Sequence, residues 1–123
     1  MKNNPVNWFE IYVQDMERAK KFYESVFQRT LEKLNSPELE MWAFRGNPES
    51  WGTGGSLVKM EGVPAGGNST IVYFSCDDCG VEEARVLAAG GSIHRSKMAI
   101  GEYGFISLVV DTERNMIGLH SMK

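Results

Sequence analysis

The sequence predicts an α+β fold: two βαβββ modules in one chain, their sheets forming a curved, mixed β-sheet around a cavity. Three observations predict it. Residues 8–13 alternate like a strand and run through Asp15 into a helical stripe. The same strand, acid and helix return about half-way along the chain. Each occurrence is followed by three further strand-like runs. A module of this kind cannot bury both faces of its sheet alone: its helix covers one, and the opposite faces of two modules close on each other.

In the first strand Phe9, Ile11 and Val13 alternate with Trp8, Glu10 and Tyr12, so each set takes one face. Asp15 offers a side-chain oxygen to the free amides of a first helical turn. Met16, Ala19, Phe22, Tyr23, Val26 and Phe27 then recur at helical spacing and form an apolar stripe. Packing that stripe on Phe9, Ile11 and Val13 turns Trp8, Glu10 and Tyr12 away from the helix. Residues 30–34 and 38–44 read as strands about an Asn35-Ser36-Pro37 turn. Residues 45–55 read as a loop whose Trp51 either packs over the domain edge or joins a pocket wall, and 56–60 as a fourth strand. Residues 62–68, Gly-Val-Pro-Ala-Gly-Gly-Asn, link module 1–61 to module 69–123 within a single domain.

The second module opens at residues 71–78, which lie 63 positions after residues 8–15. Val72, Phe74 and Cys76 fall on the helix side; Ile71, Tyr73 and Ser75 fall on the other. Asp78 repeats the cap, and Val81, Ala84, Leu87 and Ala88 repeat the apolar stripe. Gly90-Gly91 ends the helix, where a left-handed residue strains glycine least. Strands follow at 92–97, 105–111 and 115–121, with Glu102-Tyr103 marking a turn. The helix-distal residues Trp8, Glu10, Tyr12, Ile71, Tyr73 and Ser75, with Met116, Gly118 and His120 from the last strand, would line the cavity.

Composition excludes several function classes. The chain has 123 residues, enough to bury about 65% of its unfolded surface in one domain. Its formal charge is −3 with both signs interspersed and no basic run, which speaks against nucleic acid as a partner. No apolar run approaches the roughly 18 residues of a membrane span, and the first residues lack the apolar core of a signal peptide. A cytoplasmic location is expected. Cys76-Asp77-Asp78-Cys79 has redox-motif spacing, but a lone pair supplies no second ligand set, so reduced thiols are expected. Ser25, Ser75 and Ser107 have no His and acid partners for a nucleophilic triad, and no glycine-rich phosphate loop joins a strand to a helix.

The opening with Phe22-Tyr23, its repeat at 71–91 and the close Asp111-Thr112-Glu113-Arg114-Asn115-Met116-Ile117-Gly118-Leu119 resemble the vicinal-oxygen-chelate superfamily. That superfamily holds glyoxalases, extradiol dioxygenases, bleomycin-resistance proteins and fosfomycin-modifying enzymes, and the resemblance covers nearly the whole chain. The usual close is Asp-Pro-x-Gly-Asn-x-Ile/Phe-Glu-Leu. Here Thr112 and Arg114 replace the Pro and Gly, and Gly118 replaces the Glu. The match is nearest to a glyoxalase-like subgroup poor in metal ligands.

The resemblance implies four metal ligands, one per strand: His or Gln, Glu, His and Glu. Carried over by position, the first falls on Trp8, the third on Ile71 and the fourth on Gly118. The second falls within Leu57-Val58-Lys59, which holds no carboxylate or His. An indole nitrogen is a donor only, and Ile and Gly offer no side-chain lone pair. A transition metal needs three or four converging N, O or S ligands. The implied site is therefore a cavity with no metal and no cofactor.

Within it, Glu10 and His120 are the candidates for proton transfer. Trp8, Tyr12, Trp42 and Tyr73 are candidate aromatic walls, completed by Ile71, Met116 and Gly118. Lys59, and with it Lys97, would neutralise an anionic ligand or pair with Glu10. The plainer readings are a surface acid at Glu10, core aromatics, a solvated His94 and a chain-end His120. Three functions follow. The first is a metal-free protein that binds a small organic molecule, as the likeness to bleomycin-resistance proteins implies. The second is a lyase or isomerase using Glu10, with His120, and the third a regulatory or scaffolding subunit with a vestigial cavity. A homodimer is expected, since superfamily members pair their modules within or between chains.

Overall fold

Two four-stranded sheets, each carrying one helix, build the protein in the order that the repeat predicts. The structure, a computed structural model, describes residues 5–36, 39–44 and 52–123. The first module runs β1 Trp8–Tyr12, α1 Met16–Phe27, β2 Leu31–Leu34, β3 Glu40–Phe44 and β4 Gly54–Lys59. The second runs β5 Tyr73–Ser75, α2 Cys79–Val86, β6 Ser92–Ala99, β7 Phe105–Val110 and β8 Met116–Ser121. The sheet orders are β1-β4-β3-β2 and β5-β8-β7-β6. In each, the first and last strands pair parallel and the rest antiparallel, so both sheets are mixed and the modules are topological copies.

Helix α1 begins where Asp15, in extended conformation at φ −123°, accepts the Arg18 amide at 3.1 Å. It ends at Gln28, which adopts the left-handed conformation at φ 54°. Its stripe is buried as read: Ala19, Phe22, Tyr23 and Val26 are inaccessible to solvent. Asp78 caps α2 by accepting the Gly80 amide at 2.9 Å. The stripe read for α2 is corrected, because Val81 and Leu87 are exposed and the buried residues are Cys79 and Val86. The helix starts directly after Asp78, so the inward face is set by Cys79 and by Val86 two turns later.

Strand ends shift in physically simple ways. Strand β4 starts at Gly54, inside the stretch read as loop, because Gly54 and Gly55 pair with Trp8 and Phe9. Strand β6 reaches Ala99 through two register shifts against β7. Glu102-Tyr103 lies in a 3₁₀ turn, Gly101–Tyr103. Pro37 and residues 45–51 of the expected loop, with Trp51, lie outside the described residues. No helix among the described residues is long and apolar enough to cross a membrane.

The helix-side faces of both sheets pool into one core. Phe27 stacks on Phe74 at 4.4 Å between centroids, and Phe9 meets Phe74 edge-on at 6.1 Å. The closing run that carried the resemblance works here as a clamp between modules. Asp111 accepts the Tyr23 hydroxyl at 2.6 Å and the amides of Glu113 and Asn115 at 2.7 and 2.8 Å. Burial pushes its carboxyl up, and these donors pull it back. Asn115 donates to the Tyr12 carbonyl at 3.0 Å and accepts the Gly66 amide of the linker at 2.7 Å. Glu113 accepts the Gln14 and Asp15 amides at 2.8 and 2.9 Å, at the free N-terminal end of α1. Burial pushes its carboxyl up, but Arg18, these amides and Thr112 outweigh it and hold it at about 2.

Candidate functional site

The clamp and core leave the helix-distal sheet faces uncovered by any described helix, and the candidate residues gather there. Alternation along β1 places Trp8, Glu10 and Tyr12 on that face, and pairing with β4 adds Gly54, Ser56 and Val58. Trp8 is 42% exposed, whereas Ile11 between Glu10 and Tyr12 is buried on the other side. The Tyr12 hydroxyl donates to Glu10 Oε1 at 2.8 Å, and this bond raises the phenol above its usual pKa. Ser56 stands opposite Glu10 in the register, fully buried, and its hydroxyl has no hydrogen-bond partner among the described residues.

On the second module, Tyr73 pairs with Gly118 and Ser75 with His120. The Tyr73 ring lies across Gly118, where any Cβ would overlap it. The ring's outer edge stays in solvent, with the residue 47% exposed. His120 Nε2 lies 2.7 Å from the Tyr103 carbonyl oxygen. A carbonyl only accepts, so Nε2 carries a hydrogen and, in a neutral ring, Nδ1 is the free acceptor. Met116 is half-buried on the same face of β8, and Ile71 is half-buried two residues before β5.

Two expected ligand-binding residues, the wall residue Trp42 and the charge-neutralising Lys59, are elsewhere. Trp42 pairs with Leu57, a core residue, so its ring faces the helix side; the Lys20 ammonium sits 3.4 Å from its centroid. Lys59 pairs with Glu40 on that same side and borders a cleft of about 400 Å³ with Val13, Gln14, Glu61, Val63 and Pro64. The pairing of β4 with β1 turns Lys59, and that of β3 with β4 turns Trp42, away from Glu10. Lys97 is taken by Asp78 at 2.7 Å. Glu10's partner is therefore Tyr12, and neither expected lysine is.

The family's metal does not fit these residues. On β4 the helix-distal positions are Ser56 and Val58, and the Tyr73 ring fills the space over Gly118 that a fourth ligand would need. Among the described residues no group of three or more His, Cys, Asp and Glu converges. The cysteines are not poised for thiolate chemistry either. Burial, with Glu82 nearby, pushes the Cys76 thiol up to about 12, and Cys79 is fully buried in the first turn of α2.

Ser56 and the Tyr103 carbonyl are contacts that strand alternation alone does not reveal. Ser56 needed the register of β4, and Tyr103 needed the turn that folds back to β8.

The description "Glyoxalase/Bleomycin resistance protein/Dioxygenase superfamily" belongs to a family model that matches residues 6–119. Among solved structures, glyoxalase I from Zea mays aligns at TM-score 0.75 and 23% identity, over 96% of this chain and 46% of that one. This chain thus spans about half the length of the maize protein. TnmS3, an antibiotic binding protein from Streptomyces sp. CB03234, aligns at TM-score 0.74 and 23% identity over 98% of both chains. A glyoxalase/bleomycin resistance protein/dioxygenase family enzyme from Burkholderia phytofirmans PsJN aligns at TM-score 0.70 and 14% identity, over 95% and 98%. At these identities the likeness is one of fold. No curated protein matches the sequence.

Proposed function

The chain belongs to the glyoxalase/bleomycin resistance protein/dioxygenase superfamily, and from that premise we propose that it binds a small organic molecule on its helix-distal face without a bound metal. One observation carries the reading. The positions to which the resemblance carries the superfamily's metal ligands hold Trp8, Ile71 and Gly118, the last roofed by Tyr73, while Trp8 and Tyr73 expose aromatic surface beside Glu10 and His120. Aromatic rings supply contact area at small conformational cost, and a few polar groups orient what they hold. The printed role of TnmS3, antibiotic binding, is of this kind and supports the reading by analogy of fold.

Two copies complete the site. In one chain Trp8 and Tyr73 remain 42% and 47% exposed, and a partner covering them would turn an open face into a cavity. A proton-transfer lyase or isomerase has less support. Tyr12 occupies one Glu10 oxygen and the Tyr103 carbonyl occupies His120 Nε2, so neither group is wholly free.

Thermal shift against a library of small organic molecules, with and without EDTA, tests the proposal. Stabilisation that EDTA leaves unchanged supports metal-free binding. Stabilisation abolished by EDTA overturns the metal-free part, and no stabilisation at all favours a regulatory or scaffolding subunit. A single species of monomeric mass in size-exclusion chromatography with light scattering would remove the dimer.

A further inference from the structure

On the helix-distal face of the first module the formal charge is acidic: Glu10 on β1 and, across the register through Ala43 and Ser56, Glu32 on β2, while Arg95 on β6 stands on the second module's face. Across β1, β4, β5 and β8, the described residues on that face include one formally charged side chain at neutral pH, Glu10. Trp8 and Tyr12 flank it two positions away on the same strand face, roughly 7 Å on either side. Lys59 and Lys97 are committed elsewhere: Lys59 is on the helix side and Lys97 is held by Asp78. The Tyr12 hydroxyl occupies Oε1 and leaves Oε2 without a described partner. Directly across the register, the buried Ser56 hydroxyl is unpartnered, so the floor beside Glu10 holds unused hydrogen-bonding capacity.

We propose that this strip selects an organic cation, a protonated amine or quaternary ammonium, seated against the Glu10 carboxylate and the faces of Trp8 and Tyr12. The inference rests on the reading of this face as the binding site and adds the ligand's charge. Aromatic faces attract cations within about 6 Å of the ring centroid. A carboxylate between two such rings adds Coulomb attraction that a neutral isostere lacks and an anion reverses.

The test uses three probes that differ at one substituent: 4-hydroxyphenyltrimethylammonium, 4-tert-butylphenol and 4-hydroxybenzoate. Each is titrated into the full chain labelled with ¹⁵N, following the Trp8 indole N–H. The cation is expected to bind at least about tenfold more tightly than its neutral isostere, and Glu10→Gln to bring the two within about threefold. Should Glu10→Gln fail to keep the wild-type melting temperature, Trp8→Leu tests the same preference through the backbone amides of residues 8–12, and the cation's advantage over its neutral isostere is expected to shrink. Equal affinity for the neutral probe, or tighter binding of the anion, overturns cation selectivity and leaves the face as a binding site. Failure of all three to shift the Trp8 resonance overturns the cation proposal together with the site.

Discussion

Arg18 and Glu113 stand 95 residues apart in sequence and meet at 2.7 Å, binding the first helix of one module to the last hairpin turn of the other. The Glu113 carboxylate is buried and receives five hydrogen bonds: two from backbone amides, two from Arg18 and one from Thr112. Held at about 2 when folded, against an ordinary value of 4.5, it is a carboxyl whose ionised form the fold favours. Its stabilisation is thus complete above about pH 5 and is lost as pH falls towards 2. Arg18 is half-exposed, which weakens the ion pair, so on the order of 2 kcal/mol is reasonable for the whole set. Glu113→Gln should lower Tm by roughly 6–10 °C at pH 7, and the gap to wild type should close below about pH 3. A gap independent of pH would show that the charge contributes nothing.

Among the described residues, two other than glycine adopt left-handed backbone: Gln28 at φ 54° ends α1, and Arg114 at φ 68° turns the clamp where the superfamily usually has Gly. A side chain in that region costs about 1 kcal/mol, partly offset by glycine's greater freedom when unfolded. Gln28→Gly and Arg114→Gly are each expected to raise stability by about 0.5 kcal/mol in urea titrations. Arg114 also turns its N–H to the Asp111 carbonyl at 3.3 Å, a bond that glycine retains. A lower midpoint for both variants would mean that their side chains contribute contacts worth more than the strain.

What the sequence made legible is local. Helix α1 runs over Met16–Phe27 as read, since its cap and stripe lie within one stretch. The module repeat was legible because it recurs at nearly constant spacing. Pairing across the sheet was not. The face of Trp42 depends on which β4 residue it meets, and one step of register reverses it. The place of Ser56 opposite Glu10 depends on pairing in the same way. The burial of Glu113 has no local signal, because its donors Gln14 and Asp15 lie 99 and 98 residues away. The buried face of α2 lies two residues before the stripe read from its apolar letters: both helices start directly after their acid, and at the constant offset of 63 Met16 and Tyr23 answer to Cys79 and Val86.

Gly118 and Tyr73 give the metal question a physical handle. Gly118→Ala forces the ring off β8, and because the ring is half in solvent it can move, so the expected loss is about 1–2 kcal/mol. Adding Tyr73→Ala should recover most of it, which a double-mutant cycle measures directly. Gly118→Glu, which restores the superfamily's residue, is expected to leave Tm insensitive to added Zn, Ni or Mn, because Trp8 and Ile71 still coordinate nothing. A metal-dependent rise in Tm for wild type or for Gly118→Glu would show that another ligand set exists.

Glu10 carries the last and most functional expectation. Its carboxylate lies on an open face between two aromatic rings and takes the Tyr12 hydroxyl at 2.8 Å. That bond fixes the Tyr12 ring against the strip, so Tyr12→Phe removes the anchor while keeping the aromatic surface. Being exposed, the bond contributes little to stability, about 0.5 kcal/mol or less. Glu10→Gln preserves shape and should leave Tm within about 2 °C of wild type, yet it removes the charge available to a ligand. Once a ligand is identified by thermal shift, calorimetry should find its affinity lowered at least about tenfold in Glu10→Gln, equivalent to about 1.4 kcal/mol. In Tyr12→Phe the loss should be smaller, about threefold, because the carboxylate remains and only its orientation loosens. Unchanged affinity in Glu10→Gln would reduce Glu10 to a surface acid that happens to hold a tyrosine. Equal losses in both variants would instead assign the effect to the Tyr12 ring that the pair positions.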